Sequence, residues 1–203
     1  MKLLDAYKKL TSFSQPFLQS TDVAAILGVP RGHASKILNR LSESGLITPL
    51  NKGHWAIDPR ADRFLIPEFL TAPSPSYISL QSALFFHGMI SQIPEVIYAV
   101  STSRARLYKT QLGTFSIHHL EASLFFGFET IGASGIKMAT PEKALFDFLY
   151  LSPARSRIFH RLPEIELPKG FNKKLVVEMA FRTESKSRQT LVEAKLREIL
   201  KFA

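Results

Sequence analysis

A glycine between two amphipathic segments, at position 28, constrains the fold of this chain more than any other feature. Apolar residues recur at helical spacing on both sides of it. The pattern predicts one helix that begins at the cap residues Ser20 and Thr21, and a second helix over roughly Gly32–Ser44. Gly28 suits the left-handed backbone that ends a helix, and Pro30 suits the first turn of the next one. Two helices joined so closely bury a common face.

The residues around this turn fit the packing that a helix-turn-helix needs. Small or apolar side chains stand where the two helices meet, at Val23, Ala24, Leu27, Val29, Ala34 and Ile37. Two strand-like runs follow, Leu46–Thr48 and Trp55–Ile57, and Asn51-Lys52-Gly53 between them is a hairpin turn signal. A short helix over residues 3–10 and a loop over Ser12–Gln19 precede the pair. Residues 1–60 are therefore predicted to form a winged helix-turn-helix domain.

The outward face of the second helix determines what such a domain binds. It carries side chains that commonly read base edges or contact phosphates: Arg31, His33, Ser35, Lys36, Asn39 and Arg40. Lys52 at the hairpin tip is placed to meet a phosphate or the minor groove. These residues predict binding of double-stranded DNA. Two alternatives stay open, because the same residues also suit a solvated helix face, and some winged helices dock proteins instead.

Composition agrees with a DNA partner and restricts other classes. The formal net charge is +9, and an excess of Lys and Arg favours a polyanionic partner. The sequence contains no cysteine, which excludes disulfides and thiolate metal sites and fits a reducing cytoplasm. No signal peptide is evident, and the apolar run Leu145–Leu151 is interrupted by Asp147 and far shorter than the ~20 residues of a membrane span. We therefore expect a cytoplasmic protein with no membrane partner.

Four prolines between residues 58 and 77 mark a change in the chain. We interpret residues 61–76 as a linker, with a short helix around Asp62–Phe69. Residues 77–203 then mix helical and strand patterns. The expected helices are Leu80–Met89, one that begins at Thr140-Pro141-Glu142, Asn172–Phe181 and Ser187–Leu200; the expected strands are Glu95–Ser101, Thr114–His119, Phe128–Ile131 and Ile136–Ala139. The predicted fold class is α+β, with an N-terminal winged helix-turn-helix domain followed by a larger mixed α/β C-terminal domain.

Catalytic and metal-binding signatures are weak in this sequence. His118 and His119 are adjacent on a predicted strand, so their side chains point to opposite faces and cannot chelate one ion. His87 and His160 are isolated from other metal-ligating residues. The sequence has no Gly-rich phosphate-binding loop and no Gly-x-Ser-x-Gly elbow. We therefore expect no catalytic residues, no metal, no cofactor and no enzymatic activity.

Two further clusters are basic. Arg104, Arg106, Tyr108 and Lys109 follow the Glu95–Ser101 strand and suit either a solvated loop or a second surface for nucleic acid or an acidic partner. The C-terminal stretch from Lys173 to Lys201 is basic and amphipathic. It suits either a terminal helix that packs on its own domain, or a docking surface for another protein or for DNA.

Three segments of the second half, in their order after a winged helix, carry a resemblance to a known family. They are Tyr77–Leu84 with Phe86–Met89, Gln92–Ser101, and Ala139–Asp147. Over residues 1–150 the chain resembles the AbiEi-like antitoxin and transcriptional regulator family.

The resemblance implies a function that composition could not show. Members of that family repress their own operon through the N-terminal domain, usually at inverted repeats. Many counteract a neighbouring nucleotidyltransferase toxin through the C-terminal domain, in type IV toxin–antitoxin systems that require no stable complex. The family is not enzymatic, so no catalytic residues carry over. The oligomeric state stays open between a monomer on each half-site and a dimer.

Overall fold

The computed structural model describes residues 2–152 and 164–202, with side chains up to residue 199. Within these ranges the chain forms eight α-helices and two β-sheets, so the expected mixed α+β class is confirmed. His160, which the sequence presents as an isolated histidine, lies outside the described residues.

The N-terminal residues form three helices and a three-stranded antiparallel sheet. The helices are α1 (Leu3–Thr11), α2 (Ser20–Leu27) and α3 (Arg31–Glu43); the strands are β1 (Phe17–Gln19), β2 (Thr48–Asn51) and β3 (His54–Ala56), in the order β1-β3-β2. The three predicted helices are present, and the predicted hairpin has its first strand two residues later than Leu46–Thr48. The predicted loop over Ser12–Gln19 is wrong at its end, because Phe17–Gln19 pairs with β3.

Gly28 ends a helix as predicted, and Gly45 ends the next one in the same way. Gly28 has φ +66° after α2, and Gly45 has φ +69° after α3, a backbone that glycine adopts without steric cost. The start of α2 differs from the prediction that Ser20 and Thr21 are its caps. Gln19 is the N-cap instead, and its backbone N–H donates a 2.9 Å hydrogen bond to Asp22 in the acidic first turn of the helix.

The proline-containing segment between the two halves is folded. It contains a 3₁₀ turn (Arg63–Leu65), helix α4 (Ile66–Thr71) and strand β4 (Ser76–Ile78), which confirms the short helix expected there. Ile66 and Leu70 are buried. The residues that the sequence suggests as a linker therefore contribute apolar side chains to the core.

The second sheet has six strands, to which this segment contributes β4. The other strands are β5 (Val96–Ser101), β6 (Arg106–Thr110), β7 (Gly113–His119), β8 (Phe128–Ile131) and β9 (Ile136–Ala139). Their order is β6-β7-β5-β4-β9-β8; the β5–β7 and β4–β9 pairs are parallel and the others antiparallel. The remaining helices are α5 (Leu80–Phe86), α6 (Pro141–Leu151), α7 (Lys173–Phe181) and α8 (Lys186–Phe202).

Helix α6 lies at the centre of the C-terminal core. Thr140 caps it as predicted, because its hydroxyl oxygen accepts the N–H of Lys143 at 3.3 Å. Helical spacing predicts that Ala144, Leu145, Phe148 and Leu149 face inward, and all four are buried, but so is every other residue from Lys143 to Leu151. Helices α7 and α8 pack on α6, with Val192 and Leu196 buried. The packing role of the C-terminal stretch is thereby confirmed up to residue 199; Leu200 and Lys201 lie outside the described side chains.

A fully buried ion pair joins α6 to the sheet. Lys143 Nζ lies 2.6 Å from Asp147 Oδ1 and 2.8 Å from the carbonyl oxygen of Leu124, while Tyr77 and Ser79 donate hydroxyl hydrogen bonds of 2.9 and 2.7 Å to Asp147 Oδ2. Burial lowers the pKa of Lys143, and the carboxylate of Asp147 partly opposes this shift. Burial raises the pKa of Tyr77 well above its usual value, with Asp147 adding to the effect. The charged groups of both residues therefore have hydrogen-bonding partners inside the core.

Candidate nucleic-acid interface

Helix α3 presents one buried and one exposed face. Ala34, Ile37, Leu38 and Leu41 are buried against the other N-terminal elements. At ~100° per residue these four centre on one side of the helix, so the opposite side centres on Gly32, Lys36, Asn39 and Glu43. All four of those residues are exposed. The polar face that the sequence predicts is therefore turned outward.

The six predicted residues of α3 take different places around this face. Lys36 and Asn39 stand at its centre, while His33 and Arg40 share one flank. Arg31 lies on the other flank, half a helical rotation from Arg40. These five are exposed, whereas Ser35 is half-buried beside the core. The structure thus brings His33, Lys36, Asn39 and Arg40 to one accessible surface, with Ser35 at its margin. Arg31 is exposed in the first turn but projects from the opposite side of the helix to Arg40.

The diameter of a helix suits a DNA groove. An α-helix with its side chains is about 10–12 Å across, and the major groove of B-DNA is about 12 Å wide. Arg31 and Arg40 are nine positions apart and project from opposite sides of α3, so a groove that received the helix would have one arginine toward each wall.

The basic side chains on this part of the molecule form no ion pairs with described residues. Among the residues that the structure describes, no carboxylate forms an ion pair with Arg31, Lys36, Arg40 or Lys52. Glu43 is an exposed acid on the line of Lys36, two turns further along, and sequence reasoning overlooked it. Helical spacing alone could have found it, because seven residues return to nearly the same direction. Its negative charge disfavours an anionic partner at the C-terminal end of α3.

The hairpin tip is held in place by several hydrogen bonds. The N–H of Lys52 donates to Asn51 Oδ1 at 2.8 Å, and His54 Nδ1 lies 3.1 Å from the carbonyl oxygen of Lys52. Ser20 donates its N–H to the carbonyl oxygen of Gly53 at 2.8 Å and accepts the indole N–H of Trp55 at 3.0 Å. The exposed Lys52 side chain therefore starts from a fixed backbone beside the first turn of α2.

The sheet that carries this tip is covered on both faces. One face contributes Leu18, Trp55 and Ile57 to an apolar cluster with the three N-terminal helices. The other contributes Phe17 and Leu50, which pack with residues of α4 and the six-stranded sheet. The hairpin is consequently fixed between two cores, and its tip is the part left free.

The second predicted basic cluster is divided by the structure. The loop expected at Arg104, Arg106 and Lys109 is wrong for its second half, since Arg106–Thr110 is strand β6 at the edge of the sheet. Side chains alternate along a strand, so Arg106 and Tyr108 share one face and Lys109 lies on the other. All three cations are exposed, but they do not form one patch.

The histidines and acids of the described part of the chain do not come together as a metal site. No group of three or more His, Asp and Glu residues within 2–152 and 164–202 is arranged to hold a metal ion. His118 and His119 point to opposite faces as predicted, with His118 at 3.0 Å from Ser116 and His119 at 3.0 Å from the carbonyl oxygen of Ser103. Burial lowers the pKa of His118 to about 4.

Comparison with known proteins identifies no family for this chain. No protein-family model matches the chain, and no curated protein matches it significantly. Among the described residues, no helix combines the length and apolar character needed to cross a bilayer.

Proposed function

We propose that this protein is a sequence-specific DNA-binding transcriptional repressor whose residues 1–60 act as a winged helix-turn-helix domain. The observation that carries the proposal is the outward face of α3, where exposed cations without ion-pair partners flank an exposed asparagine. A polyanion is the partner that such a face favours, because each phosphate contact releases condensed counterions.

In this proposal the N-terminal half of α3 enters the major groove. Arg31, His33, Lys36, Asn39 and Arg40 contact base edges and groove walls, and Ser35 contributes from the margin of the face. Arg and Lys suit guanine and Asn suits adenine, since each pairing matches the hydrogen-bonding pattern of the base edge. Lys52 contacts the backbone from the hairpin tip. Because the hairpin is already fixed, binding orders side chains rather than main chain and loses little affinity to that ordering.

The regulatory role rests on the resemblance to AbiEi-like regulators. By that resemblance the protein represses its own promoter at inverted repeats, acts in the cytoplasm without enzymatic activity or cofactor, and counteracts a nucleotidyltransferase toxin through its C-terminal domain. Toxin and antitoxin oppose each other functionally rather than through a stable complex.

A second candidate function is a protein-interaction or antitoxin module whose winged helix no longer reads DNA. The observation that favours it is the exposure of two large apolar side chains in the C-terminal half, Phe86 at 50% and Ile93 at 72%. Such side chains are common at protein contacts. The two functions predict different results for a variant that cannot bind DNA. Such a variant still rescues cells from the toxin only if the C-terminal part acts alone.

The decisive variant reverses charge at the centre and flank of the face, as Lys36→Glu with Arg40→Glu. The matched control is Lys8→Glu with Lys9→Glu, because both lysines are exposed on α1, which packs against the buried side of α3. Both variants change the net charge equally. We expect the α3 variant to lose promoter binding by at least a hundredfold in a fluorescence titration and the α1 variant to retain most of it. Equal affinity of the α3 variant and the wild type would refute the assignment.

A further inference from the structure

Strand β6 belongs to the C-terminal sheet but lies against the N-terminal hairpin. β2 contacts β6, and Tyr108 of β6 packs on the apolar cluster that includes Phe17 and Leu50. The hydroxyl of Tyr108 also donates to the carbonyl oxygen of Leu70 in α4 at 3.4 Å. The face of β6 that carries Tyr108 is therefore the face turned toward the hairpin.

Two contacts show which end of β6 is near the hairpin tip. Arg63 lies at the start of the segment that leads into α4, and Leu112 follows the end of β6. Arg63 Nη1 donates a 3.4 Å hydrogen bond to the carbonyl oxygen of Leu112. Near the end of α4, the ring of Phe69 meets the ring of His54 at 5.3 Å, and His54 bonds to Lys52. The next residue of α4, Leu70, is the one that bonds Tyr108. Moving along β6 from Tyr108 to Arg106, away from Leu112, thus leads toward the side of the molecule that carries Lys52.

The side chains at this end are cationic and unpaired. Arg106 is exposed on the same face as Tyr108, and its guanidinium lies 4.9 Å from the centre of that ring. Arg104 is exposed just before the strand. No carboxylate in the described ranges forms an ion pair with either arginine.

We propose that Arg104 and Arg106 form a second phosphate-contacting surface on the same DNA duplex, next to the hairpin tip. The inference rests on the proposed DNA-binding function and extends it to the C-terminal half of the chain. The duplex that receives α3 in its major groove passes the tip at Lys52 and continues over the β6 edge. The two guanidiniums meet its backbone there and add affinity without reading sequence.

This role differs from a general effect of positive charge. Lys109 is on the same strand, is exposed and carries the same charge, but projects from the opposite face. A duplex lying along the hairpin side reaches Arg106 and not Lys109. The strand thus contains its own matched control.

The test compares Arg104→Gln, Arg106→Gln and Lys109→Gln in the full chain, each titrated against a promoter duplex over a range of salt concentrations. Each lost phosphate contact lowers the slope of log affinity against log salt by about 0.9. We expect that decrease for each arginine variant, together with a several-fold weaker affinity at low salt and unchanged discrimination against random DNA. Lys109→Gln keeps the wild-type slope. Thermal unfolding of each variant verifies that the fold is intact.

The possible outcomes distinguish a failure of this inference from a failure of the proposed DNA-binding function. If the wild-type protein binds no duplex, the proposed DNA-binding function itself is refuted. A wild type that binds its promoter, with arginine variants that keep the full salt slope, overturns only the second surface. The same decrease in all three variants also overturns it, because the effect then follows charge rather than position.

Discussion

At the scale of single residues, the sequence was enough to predict which side chains of α3 are exposed. It did not predict which residues pair with each other in the core. Helical periodicity was enough to predict that Arg31, Lys36 and Arg40 face outward, because the buried residues between them recur every three or four positions. Periodicity could not predict the Lys143–Asp147 pair. In the sequence Asp147 only interrupts an apolar run, and its partners Tyr77 and Ser79 are some seventy residues away, brought close by β4.

Breaking this buried pair is expected to be costly. Lys143→Met leaves the Asp147 carboxylate without its cation in a water-free site, and such changes cost ~3–5 kcal/mol of unfolding free energy. Adding Asp147→Asn removes the charge but keeps an acceptor for Tyr77 and Ser79. The double variant should therefore be more stable than Lys143→Met alone. Urea denaturation measures both, and a double variant less stable than the single one would contradict this account.

Gly32 offers a test in which stability and binding move in opposite directions. It is exposed in the first turn of α3, and a β-carbon placed there would meet nothing within 4 Å. Gly32→Ala should raise the unfolding free energy by up to about 1 kcal/mol, because alanine is the better helix former. It should also weaken promoter binding, since the added methyl group projects from the centre of the side that we propose faces DNA. Raised melting temperature with unchanged affinity would place the DNA elsewhere.

His118 makes stability depend on pH. Its pKa is about 4 in the folded protein because burial disfavours the charged ring, while in the unfolded chain it is about 6.5. The unfolded state therefore binds more protons between these values, so stability falls as pH drops from about 6.5 to about 4, by roughly 2 kcal/mol at pH 5. His118→Gln should lose less stability than the wild type between pH 7.5 and 5 in thermal unfolding. Parallel pH profiles would contradict this account, because they would show that folding does not shift the pKa of His118.

At the scale of elements, long periodic segments were predictable and short ones were not. Every predicted helix and strand has a counterpart, whereas strand β4 was not predicted and β1 and β6 were taken for loops. β1 has only three residues, too few to establish an alternating pattern. β6 is an exposed edge strand without the apolar alternation of a half-buried strand. Both are strands because a neighbour, β3 or β7, supplies hydrogen-bonding partners that the local sequence cannot reveal.

The contact between α4 and the hairpin can be tested with one aromatic residue. Phe69 is half-buried and meets the rings of Phe17 and His54. Phe69→Ala should cost about 2 kcal/mol, below the 3–5 kcal/mol of a fully buried phenylalanine, and should weaken promoter binding because the hairpin tip is less firmly held.

The control is Phe181→Ala, at a phenylalanine that is 64% exposed. It should leave both stability and promoter affinity nearly unchanged. Equal effects of the two substitutions would argue against a specific role for the α4 contact.

At the scale of the whole molecule, the two sheets share an apolar cluster. Phe17 and Leu50 from the N-terminal sheet, Ile66 and Leu70 from α4, and Phe115 from the six-stranded sheet bury one another. We expect thermal unfolding in a single cooperative transition, with calorimetric and van't Hoff enthalpies in agreement. A fragment of residues 1–60 should be much less stable than the same residues in the full chain, because it exposes Phe17 and Leu50. Two separate heat-absorption peaks would contradict this expectation.

The central claim is that this protein recognises DNA by sequence through α3 and the hairpin tip. The most direct measurement is titration of the full chain against a fluorescent fragment of its own promoter, with random-sequence DNA as competitor and salt as the variable. The account predicts binding that resists the competitor and weakens linearly in log affinity against log salt, with a slope that reports several phosphate contacts. Binding to the promoter no tighter than to random DNA would contradict it.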